Sequence, residues 1–202
     1  QSLSNSPVPD TLLIGSTSSG FVAREKHAME ELPMASRRLP RTLVDELELP
    51  GVPQDRRFQM SQACASSSYA IAVAAQLIET GRSVVAIAGG ADELASSVIA
   101  SFDSCRIYAD ECRPFDASRK GLVLGEAAAF FVLIRESNAE RFHLPPLGFI
   151  DGIGLTSDAY DSAAMSEDGV TRAISRALKD SGRIPDFICA HATGTKQGDA
   201  AE

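Results

Sequence analysis

One stretch, from Arg57 to Gly90, limits the possible folds of this chain more than any other. Arg57–Ser61 is a short strand-like run, Tyr69–Glu79 consists almost entirely of apolar helix-forming residues, and Val84–Ala88 is continuously apolar. Strand, helix and strand therefore follow one another within about thirty residues, which is the spacing of a right-handed βαβ unit. Because strands of a buried parallel sheet form uninterrupted apolar runs, this stretch predicts parallel strands covered on both faces.

The rest of the chain continues the alternation of apolar runs and helical patterns. Further strands are predicted at Thr11–Ile14, in the second half of Leu122–Ile134, at Leu147–Leu155 and at Phe187–Ala190, and the first two of these are expected to be buried. Further helices are predicted at Ala91–Phe102, Arg135–Phe142 and Asp168–Ser181, and a last one is expected to begin near Glu202. Alternating strands and helices predict an α/β layered fold.

Cys64 lies at the junction between the first strand of this βαβ unit and its helix. Ser66–Ser68 are expected to form the first turn of the helix, so the thiol would face unpaired backbone N–H groups and the positive end of the helix dipole. Both favour thiolate over thiol, and the thiolate is the nucleophilic form of cysteine. The alternative is a small core residue that happens to precede a helix, since many cysteines are buried and inert.

Composition and charge exclude several classes of protein. With 202 residues, 44% of them hydrophobic and 23% charged, the chain can bury a sizeable core in one or two domains. Its net charge of -8 argues against a nucleic-acid partner, and it has no polybasic segment that would attract a membrane surface. No apolar run approaches the roughly 20 residues that span a bilayer.

The cysteines give no sign of a metal site or of a disulfide framework. There are four of them, Cys64, Cys105, Cys112 and Cys189. They show neither C-x-x-C pairing nor the paired histidine spacing of zinc sites, so no metal is expected. Reduced thiols of this kind fit a cytoplasmic protein.

His191 directly follows the predicted strand Phe187–Ala190, as Cys64 follows another strand. Ligands of open α/β sheets usually bind at the carboxyl ends of the strands, and a cysteine with a nearby imidazole is a familiar nucleophilic pair. A lone histidine after a strand is more often a structural or surface residue. The residue pattern by itself leaves both interpretations of His191 open.

Four blocks of residues carry a resemblance to a known family. They are Ala63–Ser67, Ala88–Asp92, Arg113–Asp116 followed by Gly121 and Gly125–Glu126, and His191–Thr195 with Gly198–Asp199 and Glu202. In their order and spacing the chain resembles the β-ketoacyl-acyl carrier protein synthases, the condensing enzymes of the thiolase-like fold, from Leu12 onward. It is most similar to the elongating type, and Ser66–Ser68 together with Cys112 is similar to the aryl-polyene synthases.

The resemblance implies a thiolase-like α-β-α-β-α layered fold that is incomplete at both ends in this chain. Residues 1–145 would be the remainder of the N-terminal half with the nucleophile, and residues 146–202 the start of the C-terminal half. It also implies catalysis. Cys64 would take an acyl chain as a thioester and provide one oxyanion-hole N–H, while His191 would promote decarboxylation of the malonyl extender.

Four further residues receive roles from the same resemblance. Thr193 and Thr195 would line the channel for the pantetheine arm of the carrier protein, and Glu202 would be a supporting carboxylate near the active site. Glu126 would brace the core beside it. The chain would need no cofactor of its own, because its substrates arrive on the phosphopantetheine of an acyl carrier protein. Its other partner would be a second copy or a related ketosynthase-like subunit.

The chain also departs from the family pattern. Gln62, Ser67 and Ala192 stand where threonine, glycine and glycine are more common. The family's second catalytic histidine, its lysine and its Gly-Phe-Gly loop have no counterpart among the 202 residues, so the isolated chain is expected to be inactive. Two alternatives stay open: a non-catalytic partner subunit of the chain-length-factor kind, and an α/β protein of unrelated role.

Overall fold

A computed structural model of the chain describes residues 7–16, 49, 51–159 and 165–202. The chain divides into two compact units. Unit 1 is formed by Gln1–Ser97 and Gly125–Phe149, and unit 2 by Val98–Leu124 and Ile150–Glu202. The division of the sequence into family halves, residues 1–145 and 146–202, stays a prediction.

Unit 1 contains a four-stranded sheet. Its strands are β1 (Thr11–Gly15), β2 (Arg57–Met60), β3 (Val85–Asp92) and β4 (Ala127–Ile134), and their spatial order is β2-β1-β3-β4. Strands β2 and β3 both pair with β1 in parallel, whereas β4 runs antiparallel to β3. Helix α1 (Ser66–Glu79) connects β2 to β3 across β1. The predicted βαβ unit with parallel strands is confirmed.

Helix α1 packs its alanine-rich side on one face of this sheet. The buried residues in contact there are Leu13, Ala70, Ala74, Ile78, Ala86 and Ala88. Leu12 and Ile14 instead belong to a second buried cluster with Val52. Because successive residues of a strand point to opposite faces, β1 is buried on both sides, as the apolar run predicted.

The segment after β3 differs from the sequence prediction in where its helix begins. The prediction started the helix at Ala91, but β3 continues to Asp92, and helix α2 spans Ser96–Ser104. Ala91 and Asp92 pair with Ala128 and Ala127 of β4, so the ladder to the antiparallel neighbour extends the strand beyond the glycines. Helix α3 (Glu136–Arg141) follows β4, as predicted.

Strand β4 was expected to be buried, and that expectation is wrong. Phe130, Phe131 and Val132 are all exposed to solvent, the last at 63%. Strand β4 is at the edge of the described sheet and pairs only with β3 there. An apolar run in the sequence indicates that its side chains are favourable to bury, but it does not identify the element that packs against them.

Unit 2 contains helices α4 (Glu167–Ser181) and α5 (Lys196–Ala201). The hydroxyl of Ser166 caps α4 by accepting a hydrogen bond from the Gly169 N–H at 3.0 Å, and Gly182 follows its last turn. Helix α4 matches the amphipathic helix predicted at Asp168–Ser181. Among the helices in the described ranges, none combines the length and the hydropathy that a membrane crossing requires.

The two strands predicted after helix α3 are not formed. Residues 147–155 and 187–190 are described throughout, and neither range pairs in a ladder. Several of their apolar side chains are open to solvent, including Leu147 and Phe187. A strand needs a neighbour for its backbone N–H and C=O groups, and the apolar pattern of these runs does not contain that neighbour.

Candidate functional site

Cys64 lies in a tight turn between β2 and α1. The preceding residue, Ala63, has a φ of 48°, in the left-handed region that alanine rarely adopts. The buried hydroxyl of Ser66 holds this turn, because it accepts a hydrogen bond from the Gln62 N–H at 2.8 Å and donates one to the Ala63 carbonyl at 2.6 Å. The backbone that presents the thiol is therefore fixed by a side chain of the helix that follows it.

The start of α1 lies against the carboxyl-terminal parts of β1 and β3. A Cβ atom at Gly15 would collide with the backbone of Ser66 and Ser67, and one at Gly90 would lie 2.6 Å from the Ser67 Cβ. Such an approach is open only to residues without a side chain. The sequence places glycine at both of these points, and this lets the helix bring Cys64 to the edge of the sheet.

The Cys64 thiol is exposed, and it precedes the first residue of α1 by two positions. Ala65 is the N-cap residue of α1, and its side chain has no oxygen with which to cap the first-turn N–H groups. The positive end of the helix dipole is thus not compensated by a capping side chain at the residue next to the thiol. This is the local environment in which cysteines act as nucleophiles.

Glu126 lies just before β4 and also belongs to unit 1. Its side chain is exposed, and its Oε2 accepts a hydrogen bond from the Leu94 N–H at 3.1 Å. The carboxylate therefore ties the segment after β3 to the start of β4. Its predicted role as a brace beside an active site stays a prediction.

In unit 2, the carboxylate of Glu202 binds the backbone at His191. One oxygen accepts from the His191 N–H and the other from the Ala192 N–H, each at 2.8 Å. Ala192 has a φ of 52°, so the chain turns sharply directly after the histidine. Hydrogen bonds from two adjacent amides to one carboxylate fix this turn, and they orient the backbone that carries the imidazole.

The two threonines predicted to bind substrate lie close together in the same segment. Their hydroxyl oxygens are 3.1 Å apart, and Thr195 also accepts from the Gly198 N–H, which caps the short helix α5. Gly194 between them has a φ of 80°, and a Cβ there would lie 2.7 Å from the Gly121 carbonyl oxygen. The His191–Thr195 loop is therefore packed against the segment that ends at Gly121.

A buried carboxylate under this loop received no role in the sequence analysis. Asp199 is 6% exposed, and its two oxygens accept from the Gly194 N–H at 2.9 Å and from the Phe115 N–H at 2.7 Å. The Nε atom of Arg119 lies 3.3 Å from the same carboxylate. The signal available in the sequence was the Gly198–Asp199 pair within a motif, but nothing in the pattern identified the partners of Asp199.

A cavity of about 650 Å³ opens in unit 2 beside the loop. Its lining combines apolar residues of α4, such as Val170 and Ile174, with polar groups that include His191, Glu202 and Asp158. Cavities of this mixed character and size hold small organic groups. His191 therefore borders a space of the size that holds a substrate group.

The predicted site residues divide between the two units. Cys64 and Glu126 belong to unit 1, whereas His191, Thr193, Thr195 and Glu202 lie together in one loop and helix of unit 2. In the described ranges, the structure brings no three His, Cys, Asp or Glu side chains together in a way that could hold a metal ion.

Comparisons with known proteins identify the family. Residues 57–139 match the family model "Beta-ketoacyl synthase, N-terminal domain", and residues 147–202 match "Beta-ketoacyl synthase, C-terminal domain". The chain is 41% identical to "Nodulation protein E" of Rhizobium leguminosarum bv. trifolii over 150 residues, or 72% of the chain. It is 40% identical to "3-oxoacyl-[acyl-carrier-protein] synthase 2" of Mycobacterium leprae (strain TN) over 154 residues, or 69% of the chain. The chain spans 37% of the length of each of these relatives.

Solved structures agree with this assignment. The solved structure "The ishigamide ketosynthase/chain length factor" superposes with a TM-score of 0.82 at 28% identity, over all of this chain and 54% of the other. The resemblance deduced from the four residue blocks is confirmed, as is the predicted fold class. The chain belongs to the β-ketoacyl synthase family and has its thiolase-like α/β fold.

Proposed function

We propose that this chain is part of a working β-ketoacyl synthase that joins an acyl thioester on Cys64 to a malonyl unit carried by an acyl carrier protein. The observation that carries the proposal is the exposed Cys64 thiol beside the start of α1, in a turn held by the buried hydroxyl of Ser66. A cysteine with only a packing role in the core would need neither exposure to solvent nor a fixed turn beside the helix. Membership of the family supplies the class of reaction.

In the first step, the Cys64 thiolate attacks the carbonyl carbon of an acyl group on the carrier protein. The bond from that carbon to the carrier sulfur breaks, the carrier thiol takes up a proton, and the acyl group becomes a thioester of Cys64. The backbone N–H of Cys64 would donate to the oxyanion that forms transiently on the carbonyl oxygen. The fixed turn at Ala63 favours this because the donor needs no reorganisation.

In the second step, the malonyl thioester loses carbon dioxide and leaves an enolate. The enolate carbon attacks the Cys64 thioester, the carbon–sulfur bond breaks, and the thiol of Cys64 is regenerated after protonation. His191 would donate a hydrogen bond to the enolate oxygen. Two observations support this role: His191 lies beside the cavity, and the Glu202 carboxylate accepts a hydrogen bond from its backbone N–H. Thr193 and Thr195 would bind the pantetheine arm that delivers the malonyl group.

The proposal includes partners and requires no bound cofactor. The substrates would arrive on the phosphopantetheine of an acyl carrier protein, in agreement with the name of the mycobacterial relative. The chain would also pair with a second copy or with a related ketosynthase-like subunit. The product would enter fatty acid or polyketide biosynthesis, and the aryl-polyene type remains a prediction from Ser66–Ser68 and Cys112.

Mass spectrometry of the full-length protein after incubation with an acyl-carrier substrate tests the nucleophile. We expect an adduct with the mass of the acyl group, its loss in Cys64→Ala, and its retention in Cys105→Ala, where another exposed thiol is removed. An adduct that survives Cys64→Ala, or no adduct on the unaltered protein, would contradict the proposal. The 202-residue chain alone is expected to yield little condensation product, because it has no counterpart of the family's second histidine, lysine and Gly-Phe-Gly loop. Catalytic residues that act together lose most of their effect when some of them are missing.

A second candidate is a non-catalytic subunit of the chain-length-factor kind. It is favoured by the name of the superposed ishigamide structure, which pairs a ketosynthase with a chain length factor. In that case the chain would form a stable complex with a related ketosynthase, and acylation would be found only on the other subunit. Cys64 argues for the catalytic role, because a partner of this kind needs no nucleophile.

A further inference from the structure

We propose that Arg119 and Asp199 are a positioning pair that holds the His191–Thr195 loop in the conformation needed for the malonyl step. This inference rests on the proposed function and adds two residues to it. The pair lies within unit 2 and joins two segments that are far apart in sequence, the one around Phe115–Gly121 and the one around Gly194–Asp199.

Asp199 is buried within unit 2. Its side chain has no exposed surface, and a carboxylate in such a place is costly unless each oxygen is hydrogen-bonded and the charge is balanced. Both conditions are met. Gly194 N–H donates to Oδ1 at 2.9 Å, Phe115 N–H donates to Oδ2 at 2.7 Å, and Arg119 supplies the positive charge.

Arg119 extends the connection beyond the carboxylate. Its Nη2 atom donates to the Lys196 carbonyl at 3.1 Å, and its Nη1 atom donates to the Asp116 carbonyl at 3.0 Å. Nε also lies 3.4 Å from the Thr195 carbonyl oxygen. A guanidinium can serve several acceptors at once in a fixed plane, whereas a lysine ammonium is a compact charge on a flexible stem. The geometry therefore requires arginine in particular.

Asp199 accepts from the N–H of Gly194, which lies between the two threonines of the proposed substrate channel. Gly194 is held by its N–H at a φ of 80°, and Phe115 on the other segment has a φ of 61°. Neither conformation belongs to a helix or a sheet, so side-chain hydrogen bonds maintain both. Without the carboxylate, the Gly194 and Phe115 amides would lose their acceptor and the loop would relax.

The pair should affect the two half-reactions differently. All its contacts are inside unit 2, whereas Cys64 and the turn that presents it belong to unit 1. Loss of the pair should therefore slow decarboxylation, which depends on the position of His191, and leave the acylation of Cys64 nearly unchanged. A misplacement of about 1 Å can reduce a rate by about a hundredfold, so a relaxed loop has measurable consequences.

The experiment uses three variants of the full-length protein. Asp199→Asn replaces one acceptor oxygen of the carboxylate by an N–H donor. Arg119→Lys keeps the positive charge but removes the planar guanidinium that donates to several acceptors. The matched control is Arg183→Lys, which alters an exposed arginine paired with Asp151 at 2.9 Å in the same unit. Decarboxylation of malonyl carrier protein, acylation of Cys64 and amide hydrogen exchange are measured for each.

We expect Asp199→Asn to slow decarboxylation by about tenfold to a hundredfold, with kcat falling more than KM rises, and to change Cys64 acylation by less than about twofold. Arg119→Lys should give a smaller loss in the same direction, and it carries the test if Asp199→Asn does not fold. The Gly194 and Phe115 amides should exchange about tenfold faster in both variants and at the normal rate in Arg183→Lys.

Two results would contradict the proposed role of the pair. The first is that the Asp199 and Arg119 variants have the same decarboxylation rate and the same amide exchange rates as Arg183→Lys. The other is an equal loss of Cys64 acylation and decarboxylation, which would indicate general destabilisation. If the unaltered protein shows no acylation at all, the proposed function fails instead, and the exchange measurement still decides whether the pair fixes the loop.

Discussion

Replacing Ser66 by alanine is the sharpest test of how the chain presents Cys64. Ser66 is 2% exposed, and its hydroxyl makes two hydrogen bonds, one from the Gln62 N–H at 2.8 Å and one to the Ala63 carbonyl at 2.6 Å. Ser66→Ala removes both without adding volume. It also removes the side chain that holds Ala63 at its positive φ.

The expected loss follows from two contributions. Each of the two hydrogen bonds of the Ser66 hydroxyl contributes about 0.5–1.5 kcal/mol to stability. Alanine is the better helix former by about 0.5 kcal/mol, which offsets part of the loss. We therefore expect a decrease of about 1.5 kcal/mol in the free energy of unfolding.

Urea unfolding of the full-length protein measures this difference, with Ser68→Ala as the control. Ser68 is exposed in the same turn of α1, so that variant makes the same chemical change without touching the Cys64 turn. Its stability should change by less than about 0.5 kcal/mol. If Ser66→Ala is as stable as Ser68→Ala, the argument that the hydroxyl holds the turn is refuted.

Three other predictions concern different parts of the chain. Burial alone would raise the pKa of Asp10, but hydrogen bonds from the Ser83 hydroxyl and the Val84 N–H hold that pKa below its ordinary value. Asp10 therefore stabilises the fold at pH values above its unfolded-state pKa, and this stabilisation is lost as the pH falls through its folded-state pKa. In urea unfolding, Asp10→Asn should be less stable than the unaltered protein at the higher pH, and this difference should disappear in acid. Gly15→Ala should unfold more readily by about 3 kcal/mol, because its methyl group would meet the Ser66 backbone; an unchanged urea midpoint would exclude that contact. The proposed function further predicts that Glu202→Gln lowers the condensation rate of the full-length protein by about tenfold, since an amide offers one acceptor where two are used; equal steady-state rates would show that the carboxylate is not needed.

The sequence predicted the parts of the fold that local patterns determine. Strand β1, helix α1 and helix α4 were found within a residue or two because apolar runs, alanine content and helix-ending glycines are local signals. The position of Cys64 at the start of α1 was predicted for the same reason. The turn at Ala63 and the role of Ser66 were not, because they depend on how the chain bends.

The errors came from features that need a distant partner. The runs 147–155 and 187–190 have strand-like composition, but pairing is a property of two segments, and neither is paired in the described part of the chain. The contacts of Asp199 were missed because it accepts from the Phe115 N–H, which lies 84 positions away in the sequence. A single sequence shows an aspartate in a motif and gives no indication of what it holds.

The segments that carry the candidate catalytic groups share one mode of construction. Neither Cys64 nor His191 lies in a helix or a strand, and each is next to an alanine at positive φ, Ala63 and Ala192. In both places the bend is held by a side chain that binds backbone groups: Ser66 in the first and Glu202 in the second. Such bonds fix a loop without extending a helix or a sheet into it, so the groups beside it stay open to a substrate. Substitutions in these braces should therefore displace the segments that carry Cys64 and His191, in addition to lowering stability.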